Sequence, residues 1–482
     1  MPEFGQHGAP AGPNWEYNSR MPGVRLLRLS DMVLRRRGGP ARHFVQIIVS
    51  IALRLFFRRI ETSDEFLVPP DGPVVFVLNH PNGLIDPALV LCALPRPISF
   101  LAKSTLFKLP VVSWMLRQLD PLPLYRRIDA GEDISQNQQT FEACRRLLLS
   151  GGAIALFPEG ISHNQSRLLP MKTGAARIAL GAVSVHNATF RLLICPVGIY
   201  YTSKSSVRSE VLLRFGRPFP VKPVILSADG DPPRDAVAAL SAEIRSALEV
   251  VTLNVEDDEE LDLVRKTGRL LSSIYTGLSF QPTLTERFDV LQRVASALGI
   301  SRNSDQATLA LPQRIAAFEK RMNEVGLKPE ELAISASSFW YVLRFFILRV
   351  ALLLICLPLT ILGILLYAPA YIIASLLANR FQKHGADEAF ATVRILGLIL
   401  FVPLTWLVVS GIAWSFGGWR QGLASLPISI ICGYAAMRSI ETAADLRSWF
   451  KASLKVLRSR RTLLELLIER RAIQRQLEEL SV

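Results

Sequence analysis

Three stretches in the last third of the chain carry no charged residue: 350–379, 395–419 and 421–437, of 30, 25 and 17 residues. A helix needs about 20 apolar residues to cross a bilayer core. Two of the stretches reach that length and the third nearly does, so this region is expected to be helical and embedded in a membrane. None of them holds a buried ionisable residue, which disfavours a transporter. Pro358 and Pro369 interrupt the first stretch. Thirty residues are too few for two full spans at about 20 each, but enough for a helical hairpin bent at either proline. Arg344 and Arg349 stand on one side of the region, and Arg438, Arg447, Lys451, Lys455, Arg458, Arg460 and Arg461 on the other. Positive flanks favour the cytoplasmic face. An even number of crossings is therefore expected, with 395–419 and 421–437 as the spanning pair and both chain ends in the cytoplasm.

Half of the 482 residues are hydrophobic and a fifth are charged, which excludes a disordered chain. The 55 basic residues outnumber the 41 acidic ones, and the excess flanks apolar stretches without an aromatic-interleaved patch. That favours an anionic membrane face and argues against nucleic acid as a partner. Five scattered cysteines lack a CxxC pair, and no His, Cys or carboxylate cluster has metal-ligand spacing.

Residues 1–42 read as a segment rich in Gly and Pro, disordered over 1–22 and then basic. Residues 43–57 (HFVQIIVSIALRLFF) would form a helix of about 22 Å, too short to span. An interfacial helix over 43–59, lying under the headgroups, is expected; the competing reading is a buried helix of the following domain. From residue 61 to 255 the texture alternates. Residues 72–77 (GPVVFV), 98–102, 153–157 (AIALF), 192–199 (LLICPVGI) and 210–215 read as strands, with helices through 94, over 138–149 and over 174–184. This predicts an α/β fold over 43–255, a mostly parallel sheet flanked by helices. Residues 256–340 read as a solvated helical insertion, 341–440 as membrane-embedded helices and 441–482 as a charged helix. Leu463, Leu466, Ile473, Leu477 and Leu480 give that last helix an apolar side able to pair as a coiled coil, with Arg470 breaking the heptad.

Chemistry-bearing residues cluster within about 100 positions. The strand at 72–77 leads into Asn79-His80-Pro81-Asn82-Gly83-Leu84-Ile85-Asp86-Pro87. A His at the C-terminal end of a parallel strand sits where α/β sheets place reactive groups. A nearby carboxylate can fix its tautomer and leave the other nitrogen as a general base. Asp86-Pro87 also reads as a helix cap followed by proline at the first helical position. Phe157-Pro158-Glu159-Gly160-Ile161-Ser162-His163 follows another buried strand and suits a polar headgroup, or is a turn whose Glu159 is satisfied by backbone donors. Lys172-Thr173-Gly174 opens a helix, an arrangement suited to an anion. Tyr125-Arg126-Arg127 adds a basic cluster after Pro121-Leu122-Pro123-Leu124.

In this order the blocks resemble the glycerolipid acyltransferases of the phosphate-acyltransferase (PlsC) type. Asn79-His80…Asp86, Leu122-Pro123-Leu124-Tyr125-Arg126, Phe157-Pro158-Glu159-Gly160 and Cys195-Pro196-Val197-Gly198 correspond to that family's four blocks, across about residues 44–255. Two departures stand out. Five residues, not four, separate His80 from Asp86, and Ile161-Ser162-His163 replaces the usual Thr-Arg-Ser, so a phosphate-binding Arg is missing. Both departures, and the trailing membrane stretches, resemble the glycerol-3-phosphate and dihydroxyacetone-phosphate acyltransferase branch of fungi and bacterial relatives. The resemblance implies a membrane-bound enzyme that esterifies a glycerol-phosphate acceptor from acyl-CoA or acyl carrier protein, with no cofactor. His80 is then the base and Asp86 its orienting partner, while Arg126, Glu159, Gly160 and Lys172 bind substrate. No covalent acyl-enzyme is implied, because no Ser or Cys stands beside His80. The alternatives are a lysophosphatidate acyltransferase and a non-catalytic lipid-binding scaffold with the same fold.

Overall fold

The computed structural model describes residues 23–34, 39–104, 107, 110–119, 121–125, 137–163, 165–185, 190–204, 206–255, 257–272, 283–302, 306–325, 339–382, 387–458 and 460–480. Its N-terminal unit runs β1 (Val24–Leu26), α1 (Leu29–Leu34), α2 (Pro40–Phe56), β2 (Phe57–Ser63), β3 (Val74–Leu78), α3 (Ile85–Ala93), β4 (Ser99–Lys103), α4 (Pro110–Arg117), β5 (Leu122–Leu124), α5 (Asn137–Leu149), β6 (Ala153–Leu156), α6 (Gly174–Ser184), β7 (Leu193–Tyr201), β8 (Ser209–Phe215), β9 (Phe219–Pro220) and α7 (Arg234–Val251). The strands form one sheet in the order β1-β2-β8-β7-β3-β6-β4-β5, with β9 also on β7. β3 pairs in parallel with β6 and β7, Phe76 opposite Ala155 and Cys195. Antiparallel pairs occur at β1–β2, β7–β8 and β7–β9, so the sheet is parallel at its centre and mixed toward one edge.

All five residues of β3 are buried. Val74, Phe76 and Leu78 enter the core shared with α2 and α3, while Val75 and Val77 enter the one shared with α5, α6 and α7. A strand covered on both faces reads as an unbroken apolar run.

Two N-terminal expectations are corrected. The unit begins before residue 43, since β1 pairs with β2 and Met32 of α1 is fully buried; residues 1–22 lie outside the described residues. And α2 does not lie free at a surface: one of its faces is buried in the core of the unit, while Phe44, Ile51 and Leu55 stand on its exposed side. Val45, Val49, Leu53 and Phe56 recur at helical spacing inside the main core, each contributing about 1.5–3 kcal/mol when buried. Gln46 Nε2 donates to Met32 O at 2.7 Å and Ser50 Oγ to Cys92 Sγ at 3.3 Å, so the polar residues of that face are satisfied within it. Residues 57–59, expected as the helix tail, open β2.

Beyond the sheet come α8 (Asp258–Ser272), α9 (Leu284–Arg302), α10 (Gln306–Val325), α11 (Phe339–Gln382), α12 (Asp387–Gly417), α13 (Trp419–Arg458) and α14 (Arg460–Leu480). Two residues of the apolar side of α14 are used within the chain: Leu466 and Ile473 share a core with Val264, Ile315, Phe318 and Met322. Arg470, 3% exposed, has its pKa pushed down to about 10 by burial. The helical insertion is anchored by Glu61 of β2, fully buried, which accepts from the N–H groups of Leu284 and Thr285 at 3.1 and 2.9 Å. The start of α9 is where a negative charge is favoured.

Within α11–α13 lie three helices long and apolar enough to cross a membrane. The hairpin expected at Pro358 or Pro369 is absent, because α11 is one helix with both prolines inside it. Each proline forfeits a single backbone bond, which packed neighbours let an apolar helix tolerate. α12 and α13 form a helical hairpin about Gly417 and Gly418, the latter at φ +80°. Alpha-carbon hydrogens replace side chains where α11 meets it: a Cβ on Gly363 would stand 2.1 Å from Cys432 O, and one on Gly397 2.9 Å from Ala374 Cβ. Thr360 Oγ1 donates to Ser439 Oγ at 2.8 Å and the Tyr367 hydroxyl to Ser429 O at 3.0 Å, so α11 runs antiparallel to α13 through this stretch.

The membrane helices grip the sheet unit at several points. Ile395 of α12 belongs to the main core, and Arg58 lies 3.7 Å from Asp445. Arg208, at φ +65°, donates its backbone N–H to Phe56 O at 2.6 Å and its guanidinium to Arg54 O at 2.9 Å, closing the end of α2, and pairs with Glu441 of α13.

Candidate active site

His80 stands just beyond the C-terminal end of β3, with Nδ1 2.8 Å from Oδ2 of the fully buried Asp86. The turn between them absorbs the longer spacing. Asn82 O accepts from the N–H groups of Ile85 and Asp86, and α3 starts at Ile85. Asp86 is thus inside the first turn of the helix, not its cap, and its Oδ2 reaches back to accept from Asn82 N–H at 2.7 Å. Oδ1 accepts from the Tyr201 hydroxyl at 2.5 Å. With Nδ1 donating to the carboxylate, Nε2 keeps a lone pair. The imidazole stacks on Phe157 at a centroid distance of 4.1 Å, and its side chain is 16% exposed. That combination suits a base that is held still yet reachable.

The turn after β6 holds the main chain of His80. Glu159, 1% exposed, accepts from His80 N–H at 3.0 Å through Oε1. Its Oε2 accepts from Leu169 N–H at 2.8 Å and lies 2.5 Å from His163 Nε2. His163 N–H returns to His80 O at 3.2 Å. Burial pushes the Glu159 pKa up, but the hydrogen bond and charge of His163 and the Leu169 and His80 N–H groups outweigh it and hold the group below the ordinary glutamate range. Gly160 sits at φ +76°, where a Cβ would stand 3.2 Å from Lys172 Cγ; glycine suits both the left-handed turn and the close passage.

These elements border a cavity of about 910 Å³. Its wall is largely apolar, including Val49 of α2, Leu91 of α3, Phe100 of β4, Leu116 of α4 and Leu396 of α12. Among the polar groups on it are His80, Lys103, Glu159, Lys172 and Thr173. An apolar chamber with a few convergent polar groups is the ordinary form of a small-molecule site. The structure therefore brings His80, Asp86, Glu159, Gly160 and Lys172 into one place, whereas Arg126 lies outside the described residues. Two participants were missed in the sequence. Lys103 carried a signal, a cation closing the apolar strand SFLAK at the C-terminal edge of the sheet. Tyr201 carried none, being 115 residues from its partner. Among the described residues, no group of three or more His, Cys, Asp or Glu is placed to hold a metal ion.

Residues 59–200 match the acyltransferase family, and residues 273–481 match the glycerol-3-phosphate acyltransferase 2 C-terminal domain. The chain is 27% identical over 287 residues to glycerol-3-phosphate O-acyltransferase 2 of Saccharomyces cerevisiae, covering 57% of this chain and 38% of that one. It is 24% identical over 448 residues to glycerol-3-phosphate O-acyltransferase 1 of the same yeast, covering 73% and 58%. The lyso-ornithine lipid O-acyltransferase of Brucella abortus is 30% identical over 198 residues, which are 40% of this chain and 68% of that one. The chain belongs to the PlsC-type acyltransferase family. It spans less than two thirds of the length of the two yeast proteins.

Proposed function

We propose that the protein transfers a fatty acyl group from an acyl thioester, carried by coenzyme A or acyl carrier protein, to a hydroxyl of glycerol 3-phosphate or dihydroxyacetone phosphate in phospholipid biosynthesis. The observation that carries this reading is the His80–Asp86 pair, 2.8 Å apart, on the wall of an apolar cavity. His80 Nε2 takes the acceptor's hydroxyl proton as that oxygen attacks the thioester carbonyl carbon. The carbon–sulfur bond then breaks, and the proton passes from His80 to the departing thiolate. Asp86 stabilises the transient imidazolium. Lys103, Lys172 and the start of α6 supply positive potential for phosphate in place of the missing Arg, and Arg126 adds to it. Glu159 and Gly160 shape the acceptor side by fixing the His80 main chain and the path of Lys172. The reaction so written draws on no cofactor. The match over residues 273–481 and the names of the yeast relatives favour glycerol 3-phosphate as acceptor.

Purified full-length protein given a labelled acyl donor with glycerol 3-phosphate, dihydroxyacetone phosphate and lysophosphatidate in parallel should acylate one of the first two. His80→Ala should lose about 10²–10⁴-fold in rate while remaining folded. Labelling of lysophosphatidate alone would overturn the acceptor, and near-normal turnover in His80→Ala would overturn the mechanism.

In the membrane, α12 and α13 serve as the spanning pair. α11 packs against both without completing a crossing, and the sheet unit and C-terminal helix share the cytoplasmic side. The basic residues flanking the region on both sides favour this arrangement.

A further inference from the structure

We propose that Tyr201 is a positioning residue of the active site, the third member of a His80–Asp86–Tyr201 chain that fixes the carboxylate against the imidazole. The proposal rests on the acyl-transfer reading above.

The sheet delivers this contact. β3 ends at Leu78, opposite Val197 of β7, yet β7 continues to Tyr201. The overhang of four residues is about 13 Å at strand rise, and it passes over the edge where His80 and Asp86 stand. Asn79 secures its start, donating to Ile199 O at 3.0 Å and accepting from Ile199 N–H at 2.7 Å. Tyr201 is 4% exposed and its ring stacks on Phe57, 5.7 Å between centroids, so the hydroxyl has little freedom to swing away.

Asp86 has work for such a donor. Its Oδ2 already serves Asn82 N–H and His80 Nδ1, and Tyr201 is the donor on Oδ1. A fully buried carboxylate oxygen without a donor is costly, and relief comes by rotation or by taking a proton. Either would spoil the partner of the imidazole. Burial, the Asp86 charge and the hydrogen bond all push the phenol pKa well above the usual tyrosine value, so the hydroxyl stays a donor. Asn82 N–H holds Oδ2 from within the turn, and Tyr201 holds Oδ1 from a separate strand.

A merely structural tyrosine and a positioning one differ in how Tyr201→Phe combines with Asp86→Asn. In full-length reconstituted protein, Tyr201→Phe should lower kcat by about 10- to 100-fold, the size expected for a hydrogen bond to a charged group. KM for both substrates should stay within about twofold. In the Asp86→Asn background the same substitution should cost less than about threefold, because the group through which it acts has already lost its charge. Should Tyr201→Phe fail to fold, 3,5-difluorotyrosine at position 201 keeps the shape and makes a stronger donor. It should lower kcat by drawing charge from Asp86, and an unchanged kcat would overturn the proposal. So would a full kcat in Tyr201→Phe, or multiplicative losses in the double variant. The acyl-transfer reading fails separately, by an inactive wild-type protein or an active His80→Ala.

Discussion

A carboxylate withdrawn from water is stable as an anion only when its lone pairs meet donors. The site holds two such groups with different duties. Asp86 faces the ring of His80, whereas Glu159 faces its main chain and His163. The folded-state pKa of Glu159 lies below its unfolded value, so its contribution to stability is fully present above about pH 4.3. That contribution is lost as pH falls through the lower, folded pKa. Glu159→Gln should therefore reduce thermal stability clearly at pH 7, by about 1–3 kcal/mol. The gap to wild type should narrow below pH 4 in scans of detergent-solubilised protein; an equal gap at both pH values would contradict the assignment. Lys172→Ala and Arg126→Ala should each raise KM for the acceptor by about tenfold and leave KM for the donor nearly unchanged. An effect confined to the donor would reassign them to the carrier's phosphates. His80, Asp86 and Glu159 were legible because each sits in a short run of sequence that repeats the order strand, turn, helix. Tyr201 was not, since its meaning depends on how far one strand outruns its neighbour.

Periodicity says which side of a helix is apolar but not what covers it. In α2 the stripe Val45, Val49, Leu53 and Phe56 fits a lipid surface and a sheet equally well in sequence, and the sheet covers it. The strands and the helix at 174–184 were legible because turns bound each run closely, and Gly174–Ser184 is α6 residue for residue. In α11 the prolines suggested a hairpin, yet nothing local marked the glycine contacts that hold it against α12 and α13 as one helix. Those contacts predict unequal tolerance of bulk. Gly363→Leu must displace the Cys432 carbonyl, at a cost of about 1–3 kcal/mol or more, and should lower the melting temperature in detergent. Gly411→Leu, where a Cβ would meet nothing within 4 Å, should leave it unchanged. Equal shifts in the two variants would argue against the close packing.

At the level of the whole molecule the question is on which side each end lies. Charge flanks were readable, but the path of α11 was not, because a count of apolar residues contains no angle. With the native cysteines replaced, single cysteines at Lys383 and just after Lys455 should both resist an impermeant thiol reagent in intact cells and react once the cells are opened. Labelling at the later site in unopened cells would establish three complete crossings. The cavity has a further consequence, which concerns time. One of its walls is Leu396, synthesised 316 residues after His80. At roughly 5–20 residues per second the base exists for a quarter of a minute to a minute before that wall does. A nascent chain already holding His80 and Asp86 is still open along one side, and the chamber is finished only when a helix bound for the membrane comes to rest against it.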